Sequence, residues 1–270
     1  MSRIIAIANQ KGGVGKTTTC VNLAASLAAM RQRVLLVDLD PQGNATMGSG
    51  VDKYAIERSI DDVLLRRLSV SDVAQPAGEA GFYVLPANSD LTAAEVELMQ
   101  VEGRERRLRA SLAGAADDFD YVLIDCPPSL NMLTLNGLVA AHGVIIAMQC
   151  EYYALEGLSA LMDTIHRVAE TVNTTLQVEG ILRTMYDPRN SLTNDVSDQL
   201  HGYFGDRVYR TVIPRNVRLA EAPSHGLPAM HYDRYSRGSR AYMALAGEIL
   251  RRADQRNAAI ANPPTDRTAP

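Results

Sequence analysis

The chain has 270 residues, of which 46% are hydrophobic, so it is long enough for a large domain with a sizeable buried core. Its formal net charge of −4 excludes a protein that is basic over its whole surface. The 3 cysteines lack C-x-x-C spacing, which fits a reducing compartment. No segment approaches the roughly 20 apolar residues of a membrane span, and no signal peptide is recognisable. We therefore expect a cytoplasmic protein.

Apolar runs of strand length alternate with helical patterns along the chain. The predicted strands are 3–8, 33–38, 82–86, 121–126, 143–149, 178–185 and 207–213. The predicted helices are 16–31, 103–116, 153–173, 191–204 and 239–256. Several strands are unalternating and β-branched, which is typical of strands buried on both faces. The pattern predicts an α/β fold with a doubly wound, mostly parallel sheet, helices on both faces, and ligands at the carboxyl ends of the strands.

The glycine-rich segment after the first predicted strand has the composition of a phosphate-binding loop. Its glycines let backbone N–H groups close around a polyphosphate, Lys16 adds a positive charge, and Thr17 offers a hydroxyl to Mg²⁺. The usual phosphate-loop pattern has a glycine where this chain has Gln10. This chain also has an additional lysine, Lys11, which can reach a phosphate in a facing subunit. The predicted phosphate-binding residues are Lys11, Gly12, Gly13, Val14, Gly15, Lys16, Thr17 and Thr18.

Acidic residues follow two later strands. Asp38 and Asp40 end the second predicted strand, and carboxylates at i and i+2 point to the same side of an extended chain. Asp125 ends the apolar run 121–124, which is the arrangement of a Walker B acid bound to Mg²⁺. We predict a metal site formed by Thr17, Asp40 and Asp125. Asp38 has two open interpretations, one in the metal shell and one as a capping or turn residue.

Together these residues indicate transfer of a phosphoryl group from a bound polyphosphate to water. Asp40 is the candidate that positions the attacking water, and Lys16 stabilises the transferred group. Lys11 is predicted to supply a further positive charge from the partner chain. The predicted catalytic residues are therefore Lys11, Lys16 and Asp40, and Mg²⁺ is a predicted cofactor.

Five motifs give the chain a family resemblance. Residues 11–18, 38–44 and 125–129 resemble the deviant Walker A, the second motif and the Walker B of one ATPase superfamily. Residues 149–157 and 212–226 are narrower and resemble the chromosomal ParA (Soj) partition ATPases. The resemblance covers roughly residues 3–252. We predict a single P-loop ATPase domain over residues 1–256, followed by a disordered proline-rich tail over 257–270.

The resemblance implies an ATP-dependent homodimer with two nucleotides between its subunits, bound to double-stranded DNA without sequence preference. A ParB-type partner would stimulate hydrolysis and release the dimer from the nucleoid. By position, Lys11 would contact the nucleotide of the other subunit and Gly12 would lie at the dimer contact. The residues implied around the adenine are Met185, Pro214 and Asn216. Arg189 and Arg218 match positions that the family uses for DNA.

The distribution of basic residues gives separate support for DNA binding. Between Arg207 and Arg240 there are seven arginines and two acids, Glu221 and Asp233. A cluster of cations on one face releases condensed counterions when it contacts DNA phosphates, so the binding should weaken steeply with salt. This adds Arg215 and Arg237 to the predicted DNA-binding residues. The alternative interpretation is an ordinary solvated surface.

Three other functions remain open. A membrane-cycling ATPase like MinD needs a basic amphipathic helix at the C-terminus, whereas the last helical pattern here has the spacing of a core-facing helix. The second is an ATP-dependent metabolic enzyme, or a reductase like the nitrogenase iron protein. The reductase would hold an iron-containing cluster at the dimer contact through cysteines such as Cys126. The third is a scaffold that binds nucleotide without turnover.

Overall fold

In the computed structural model, which describes residues 2–261, strands and helices alternate along the chain. The strands are β1 (Arg3–Ala8), β2 (Val34–Asp38), β3 (Gln75–Pro76), β4 (Tyr83–Leu85), β5 (Tyr121–Asp125), β6 (Gly143–Gln149), β7 (Gln177–Tyr186) and β8 (Val208–Pro214). The helices are α1 (Lys16–Ala29), α2 (Asn44–Gly48), α3 (Ile60–Leu64), α4 (Val70–Val73), α5 (Leu91–Leu98), α6 (Arg107–Leu112), α7 (Met132–Ala140), α8 (Ala154–Thr171), α9 (Ser191–Phe204), α10 (Val217–Glu221), α11 (Ala229–Tyr232) and α12 (Arg237–Ala261).

The strands form one sheet in the order β3-β4-β2-β5-β1-β6-β7-β8. All neighbouring strands are parallel except β3 and β4, which are antiparallel. Strand β1 lies between β5 and β6, and the order of the strands reverses on either side of it. In such sheets ligands bind at the carboxyl ends of the strands at the reversal point. The loop after β1 lies at this point, and the predicted fold class is confirmed.

The sheet is buried on both faces because side chains alternate along each strand. On β1, Ile4 packs in one hydrophobic core and Ile5 in the other. Helices α7 and α8 cover the first core, and α1 and α12 cover the second. This two-sided burial explains why the central strands read as continuous apolar runs.

The structure corrects several predicted elements. Strand β3 and helices α5 and α7 were not predicted, and the helix predicted over 103–116 is a 3-10 turn at Arg104–Arg106 followed by the shorter α6. Helix α12 continues to Ala261, where alanines favour the helix, so residues 257–261 of the predicted tail are helical. Residues 262–270 lie outside the described residues.

Helix α12 has the core-facing character that its spacing predicts. Tyr242, Leu245, Ala246 and Ile249 are each at most 1% exposed. Across residues 2–261, we find no helix with the length and apolar character needed to span a membrane. The apolar side of α12 is therefore used inside the fold, unlike that of a membrane-binding amphipathic helix.

Candidate functional site

The loop between β1 and α1 forms an open cradle. Gly13 and Gly15 have φ angles of +72° and +86°, a left-handed backbone that favours glycine. A Cβ atom on Gly12 or Gly13 would meet no protein atom within 4 Å, so the space beside the loop is free. Lys16 begins α1, and the N–H groups at a helix N-terminus attract anions. The predicted loop residues therefore form a site that fits a polyphosphate.

Two polar side chains hold this loop in place, Asn9 at its beginning and Thr184 from a distant strand. Nδ2 of Asn9 donates to the carbonyl oxygen of Ala147 in β6 at 2.8 Å, and its Oδ1 accepts the N–H of Lys11 at 2.9 Å. Oγ1 of Thr184, near the end of β7, donates to the carbonyl oxygen of Val14 at 2.7 Å. Sequence analysis missed Asn9 and Thr184. The sequence feature that could have identified both residues is a polar side chain near the carboxyl end of an apolar strand.

The two lysines of the loop have different surroundings. Lys16 is 7% exposed, and its Nζ donates to the carbonyl oxygen of Lys11 at 3.1 Å. Burial lowers the pKa of Lys16, although nearby carboxylates, above all Asp125, oppose this effect. Lys11 is half-exposed, and its ammonium group donates to Oε2 of Glu151, just beyond β6 in the same chain. Sequence analysis assigned Glu151 no role.

Asp125 is a buried carboxylate with unused hydrogen-bonding capacity. Its Oδ1 accepts from Sγ of Cys20 at 3.5 Å, while its Oδ2 has no hydrogen-bond partner within residues 2–261. Burial, and then the carboxylate of Asp38, raise the pKa of Asp125, opposed by the Thr17 hydroxyl and the Cys20 thiol. A divalent cation would favour the charged form of such a group. The free oxygen of Asp125, a carboxyl group that also interacts with the Thr17 hydroxyl, therefore fits the expected Mg²⁺.

The protein part of this metal site is small. In the described part of the chain, no group of three or more His, Cys, Asp and Glu side chains could hold a metal ion alone. Mg²⁺ keeps several waters and is commonly bound by one or two protein groups together with substrate phosphates. Thr17 and Asp125 would supply those groups here, with Asp40 at the edge of the site.

Asp38 and Asp40 have separate tasks. Asp38 is 0% exposed, and its Oδ2 accepts both the N–H and the hydroxyl of Thr46 at 2.8 Å. Oδ1 of Asp38 accepts the N–H of Asp40 at 3.1 Å. This is the capping and turn role that sequence analysis left open. The carboxylate of Asp40 is only partly buried and accepts the N–H of Gln42 at 2.9 Å, so it retains capacity for a water molecule.

The predicted base-binding residues come together beside the loop. Met185, Pro214 and Asn216 line a cavity of about 190 Å³ together with Gly15 and Thr18. Met185 has a left-handed φ of +48°, which is uncommon for a non-glycine residue and consistent with a functional position. Oδ1 of Asn216 is buried and lacks a hydrogen-bond partner among the described residues.

This free acceptor can receive a hydrogen bond from the amino group of an adenine. Leaving a buried acceptor unpaired costs about 1–3 kcal/mol, so a ligand donor there gains affinity. Tyr242 of α12 also lines the cavity, and its hydroxyl lies 3.1 Å from Oγ1 of Thr19. Sequence analysis predicted only that this helix faces the core.

The four arginines predicted for DNA lie near the carboxyl ends of the last two strands. Arg189 follows β7, and Arg215 follows β8 with its N–H donating to the carbonyl oxygen of Tyr186 at 3.4 Å. Arg218 lies on α10, which packs against the start of α12 where Arg237 is exposed. The contact is close, because a Cβ on Gly238 would lie 2.6 Å from Cγ of Leu219.

Two of these arginines already have acidic partners. Arg189 donates to Asp187 through Nε at 2.9 Å and Nη2 at 2.7 Å, although its side chain is 88% exposed. This hydrogen bonding lowers the pKa of Asp187 to about 2. Arg218 pairs with Glu221 at 2.7 Å and with Asp233 at 3.4 Å. The basic face is therefore partly neutralised within the chain.

The cysteines have the properties of buried core residues. Cys20, Cys126 and Cys150 are all unpaired and buried. Sγ of Cys126 lies only 2.9 Å from the position a Cβ would take on Gly137, and burial raises the pKa of its thiol. A cluster shared between two copies needs thiolates at the surface. Their burial therefore argues against the iron-protein alternative.

A phosphate cradle at the reversal point of a parallel sheet, a Walker B carboxylate at the end of β5 and a cavity at the ends of β7 and β8 define the class of P-loop ATPases. Comparison with known proteins agrees, because a family model described as "AAA domain" matches residues 2–178. The sporulation initiation inhibitor protein Soj of Bacillus subtilis is 51% identical over 249 residues, which are 92% of this chain and 98% of Soj. The chromosome partitioning protein ParA of Myxococcus xanthus is 50% identical over 252 residues, 93% of this chain and 89% of that protein.

Two solved structures extend the comparison. A Mycobacterium smegmatis protein named cobyrinic acid a,c-diamide synthase, with bound ADP and magnesium, has a TM-score of 0.83 and 40% identity over 94% of this chain and 96% of its own. The septum site-determining protein MinD of Pyrococcus horikoshii, complexed with Mg-ADP, has a TM-score of 0.77 and 26% identity over 94% and 98% of the two chains. The present chain belongs to the ParA/Soj family of chromosome-partitioning ATPases.

Proposed function

We propose that this protein hydrolyses ATP as a Mg²⁺-dependent homodimer that binds double-stranded DNA without sequence preference and is released after hydrolysis. A ParB-type protein bound at a centromere-like site would stimulate the reaction, and the dimer would associate with the nucleoid. The observation that carries the proposal is the joint placement of Lys16, Asp40 and Asp125 around the open cradle, next to a cavity with a free acceptor on Asn216.

Each residue at the site has a chemical task in this proposal. The backbone N–H groups of residues 12–17 bind the phosphates, and Lys16 stabilises the charge that develops on the transferred group. Asp40 orients the attacking water in line with the γ-phosphate. Asp125 and Thr17 would hold Mg²⁺, which would neutralise phosphate charge when bound. Asp38 positions Asp40 through the hydrogen bond to its N–H.

The extra lysine supports a reaction between two chains. Lys16 already serves the chain's own cradle, while Lys11 lies half-exposed and is paired with Glu151. A facing subunit that presents its nucleotide at this surface could take Lys11 from Glu151. Its positive charge would then act as an arginine finger does in other P-loop enzymes. Gly12, which has no side chain, would allow the two loops to approach closely.

Two other functions are compared with this proposal. The MinD-like alternative needs an apolar helix face for the membrane, and α12 buries its apolar side chains. The Mycobacterium smegmatis protein is named as a metabolic synthase, and that activity would require an organic acid substrate beside ATP. Soj and ParA are more similar to this chain in sequence, which favours the partition function.

The test is DNA binding as a function of the nucleotide. Retention of the full chain on duplex DNA of random sequence is measured with ATP and Mg²⁺, with ADP and Mg²⁺, and without nucleotide. The proposal predicts binding only with ATP, and weaker binding for Arg218→Ala. Arg167→Ala on α8 is the matched control, because this exposed arginine lies on the opposite face of the sheet. Binding that does not depend on ATP, or no binding at all, would refute the proposal.

A further inference from the structure

A second basic site shares no lining residue with the predicted base cavity. A groove of about 540 Å³ runs between the beginning of β8 and the last turns of α12. All of its lining side chains are charged or polar, and four of them are arginines: Arg210, Arg251, Arg252 and Arg256. The base cavity is lined by Ile213 and Pro214 at the carboxyl end of β8, which lie roughly 10–13 Å from Arg210 at the usual rise of a strand. The groove is therefore separate from the ATP site.

The acids beside the groove do not cancel its positive charge. It is lined by two carboxylates, Asp206 and Glu248. Oε1 of Glu248 accepts the N–H of Arg210 at 3.0 Å and Nη2 of Arg252 at 2.8 Å. Its Oε2 accepts the N–H and the hydroxyl of Thr211 at 2.9 and 2.8 Å. Glu248 is therefore committed to the edge strand, whose free N–H groups it satisfies.

Two of the four arginines are held by contacts within the fold, and the other two are unpaired among the residues described. The guanidinium of Arg252 lies 4.3 Å from the centre of the Tyr209 ring, and Arg256 pairs with the buried Glu179 at 2.6 Å. The side chains of Arg210 and Arg251 are exposed and make no ion pair or hydrogen bond within residues 2–261. The groove thus offers two available cations on a rigid frame.

The groove continues into a basic stripe on α12. Exposed or half-exposed residues recur there at spacings of three and four, which places them on one helix face. The stripe consists of Arg237, Arg240, Ala244, Gly247, Arg251 and Gln255, and contains no acid. Nη1 of Arg251 lies 3.2 Å from the position a Cβ would take on Gly247, so the side chain lies along the helix. From Arg237 to Arg251 the helix rises about 21 Å.

We propose that this α12 stripe and Arg210 form a second contact surface for the phosphate backbone of double-stranded DNA. The inference rests on the proposed DNA-binding function and extends the predicted surface to the amino end of β8. A span of about 21 Å corresponds to about six base-pair steps, so one duplex can reach both ends of the stripe, whereas a small anion cannot.

The chemistry of the surface favours DNA over other anions. The groove has no aromatic or apolar lining against which a base could stack, so it suits phosphates and not bases. A lipid surface would need apolar side chains to insert, and those of α12 are buried in the core. The contact should therefore be independent of sequence and sensitive to salt.

The experiment compares the double variant Arg210→Ala/Arg251→Ala with wild type. Affinity for random-sequence duplex is measured with ATP and Mg²⁺ at several salt concentrations, together with ATP turnover in the absence of DNA. Each lost phosphate contact should lower the slope of log affinity against log salt by about one, and weaken binding roughly three- to tenfold. DNA-free turnover should not change. The Arg210→Lys/Arg251→Lys variant should restore the slope.

Arg167→Ala again controls for the loss of charge alone. The inference is overturned if the double variant binds as wild type does, or if Arg167→Ala lowers the slope equally. It is also overturned if the double variant loses binding to phosphatidylglycerol vesicles while its DNA binding is unchanged. If wild type binds no duplex with ATP, the proposed DNA-binding function itself fails. If wild type binds duplex with ATP and the double variant binds it with the same affinity and salt slope, the proposed function stands without this second surface.

Discussion

The ammonium group of Lys11, in the phosphate loop, donates a hydrogen bond to Glu151 of the same chain, just beyond β6. The side chains are 49% and 43% exposed, so water screens the pair and a phosphate can compete for Lys11. In a dimer that exchanges Lys11 between subunits, this ion pair must break first. Glu151 would then oppose assembly until ATP is bound.

Replacing Glu151 by glutamine should therefore favour the dimer. Exposed ion pairs contribute about 0.2–1 kcal/mol, so the dissociation constant of the ATP-bound dimer should fall by up to about fivefold per chain. Analytical ultracentrifugation with ATP and Mg²⁺ measures this change. Glu170→Gln on the exposed side of α8 is the control. A weaker dimer in Glu151→Gln would mean that the acid aligns Lys11 instead of retaining it.

Asp40→Asn should separate ATP binding from ATP turnover. The amide keeps the size of the side chain but orients water poorly, so turnover should fall on the order of 100-fold while ATP affinity remains. Phosphate release and equilibrium nucleotide binding measure the two quantities. Asp163→Asn on α8 controls for the charge. Unchanged turnover in Asp40→Asn would remove Asp40 from the role of positioning water.

Asn216→Leu should reduce the preference for ATP over GTP. The buried Oδ1 can accept from the amino group of adenine, whereas guanine presents a carbonyl oxygen at the corresponding position. Loss of this hydrogen bond should weaken ATP binding by about 1–3 kcal/mol, roughly five- to 150-fold, with little effect on GTP. Calorimetry with both nucleotides tests this. Equal losses would show that Asn216 only shapes the cavity.

The buried Asp125 should make the nucleotide-free protein less stable as the pH rises. Burial raises its pKa to about 8, so the folded chain holds a proton that the unfolded chain has already lost. The contribution of Asp125 to stability is therefore fully present below the ordinary carboxyl pKa and is lost as the pH rises towards 8. Asp125→Asn should flatten this decline in melting temperature between about pH 5 and about pH 8. Parallel curves for the two proteins would contradict the assignment.

The strands and the phosphate loop could be predicted because local chemistry determines them. The strand β5 is apolar throughout and ends in Asp125, and Gly13 and Gly15 adopt backbone angles that only glycine accepts readily. Helix α7 was missed because its residues are nearly all buried, so it has no polar face to give a helical period.

Contacts between distant parts of the chain could not be predicted. Thr184 and Val14 are 170 positions apart, and Lys11 and Glu151 are 140 apart. Only the sheet order brings them together, because β6 and β7 follow β1 across the sheet. The pairing of Arg218 with Asp233 likewise depends on how α10 lies against the residue that ends α11, whereas its pairing with Glu221 is a local contact within α10. The spacing of the arginines alone did not indicate it.

The central claim is tested most directly by measuring whether the chain is a monomer or a dimer when ATP is bound. Light scattering on Asp40→Asn and Asp40→Asn/Lys11→Ala, with ATP and Mg²⁺ or with ADP and Mg²⁺, reports assembly without hydrolysis. The account predicts a dimer for Asp40→Asn with ATP only, and a monomer for the double variant under both conditions. A dimer of undiminished stability in the absence of Lys11, or wild-type turnover by a monomer, would contradict it.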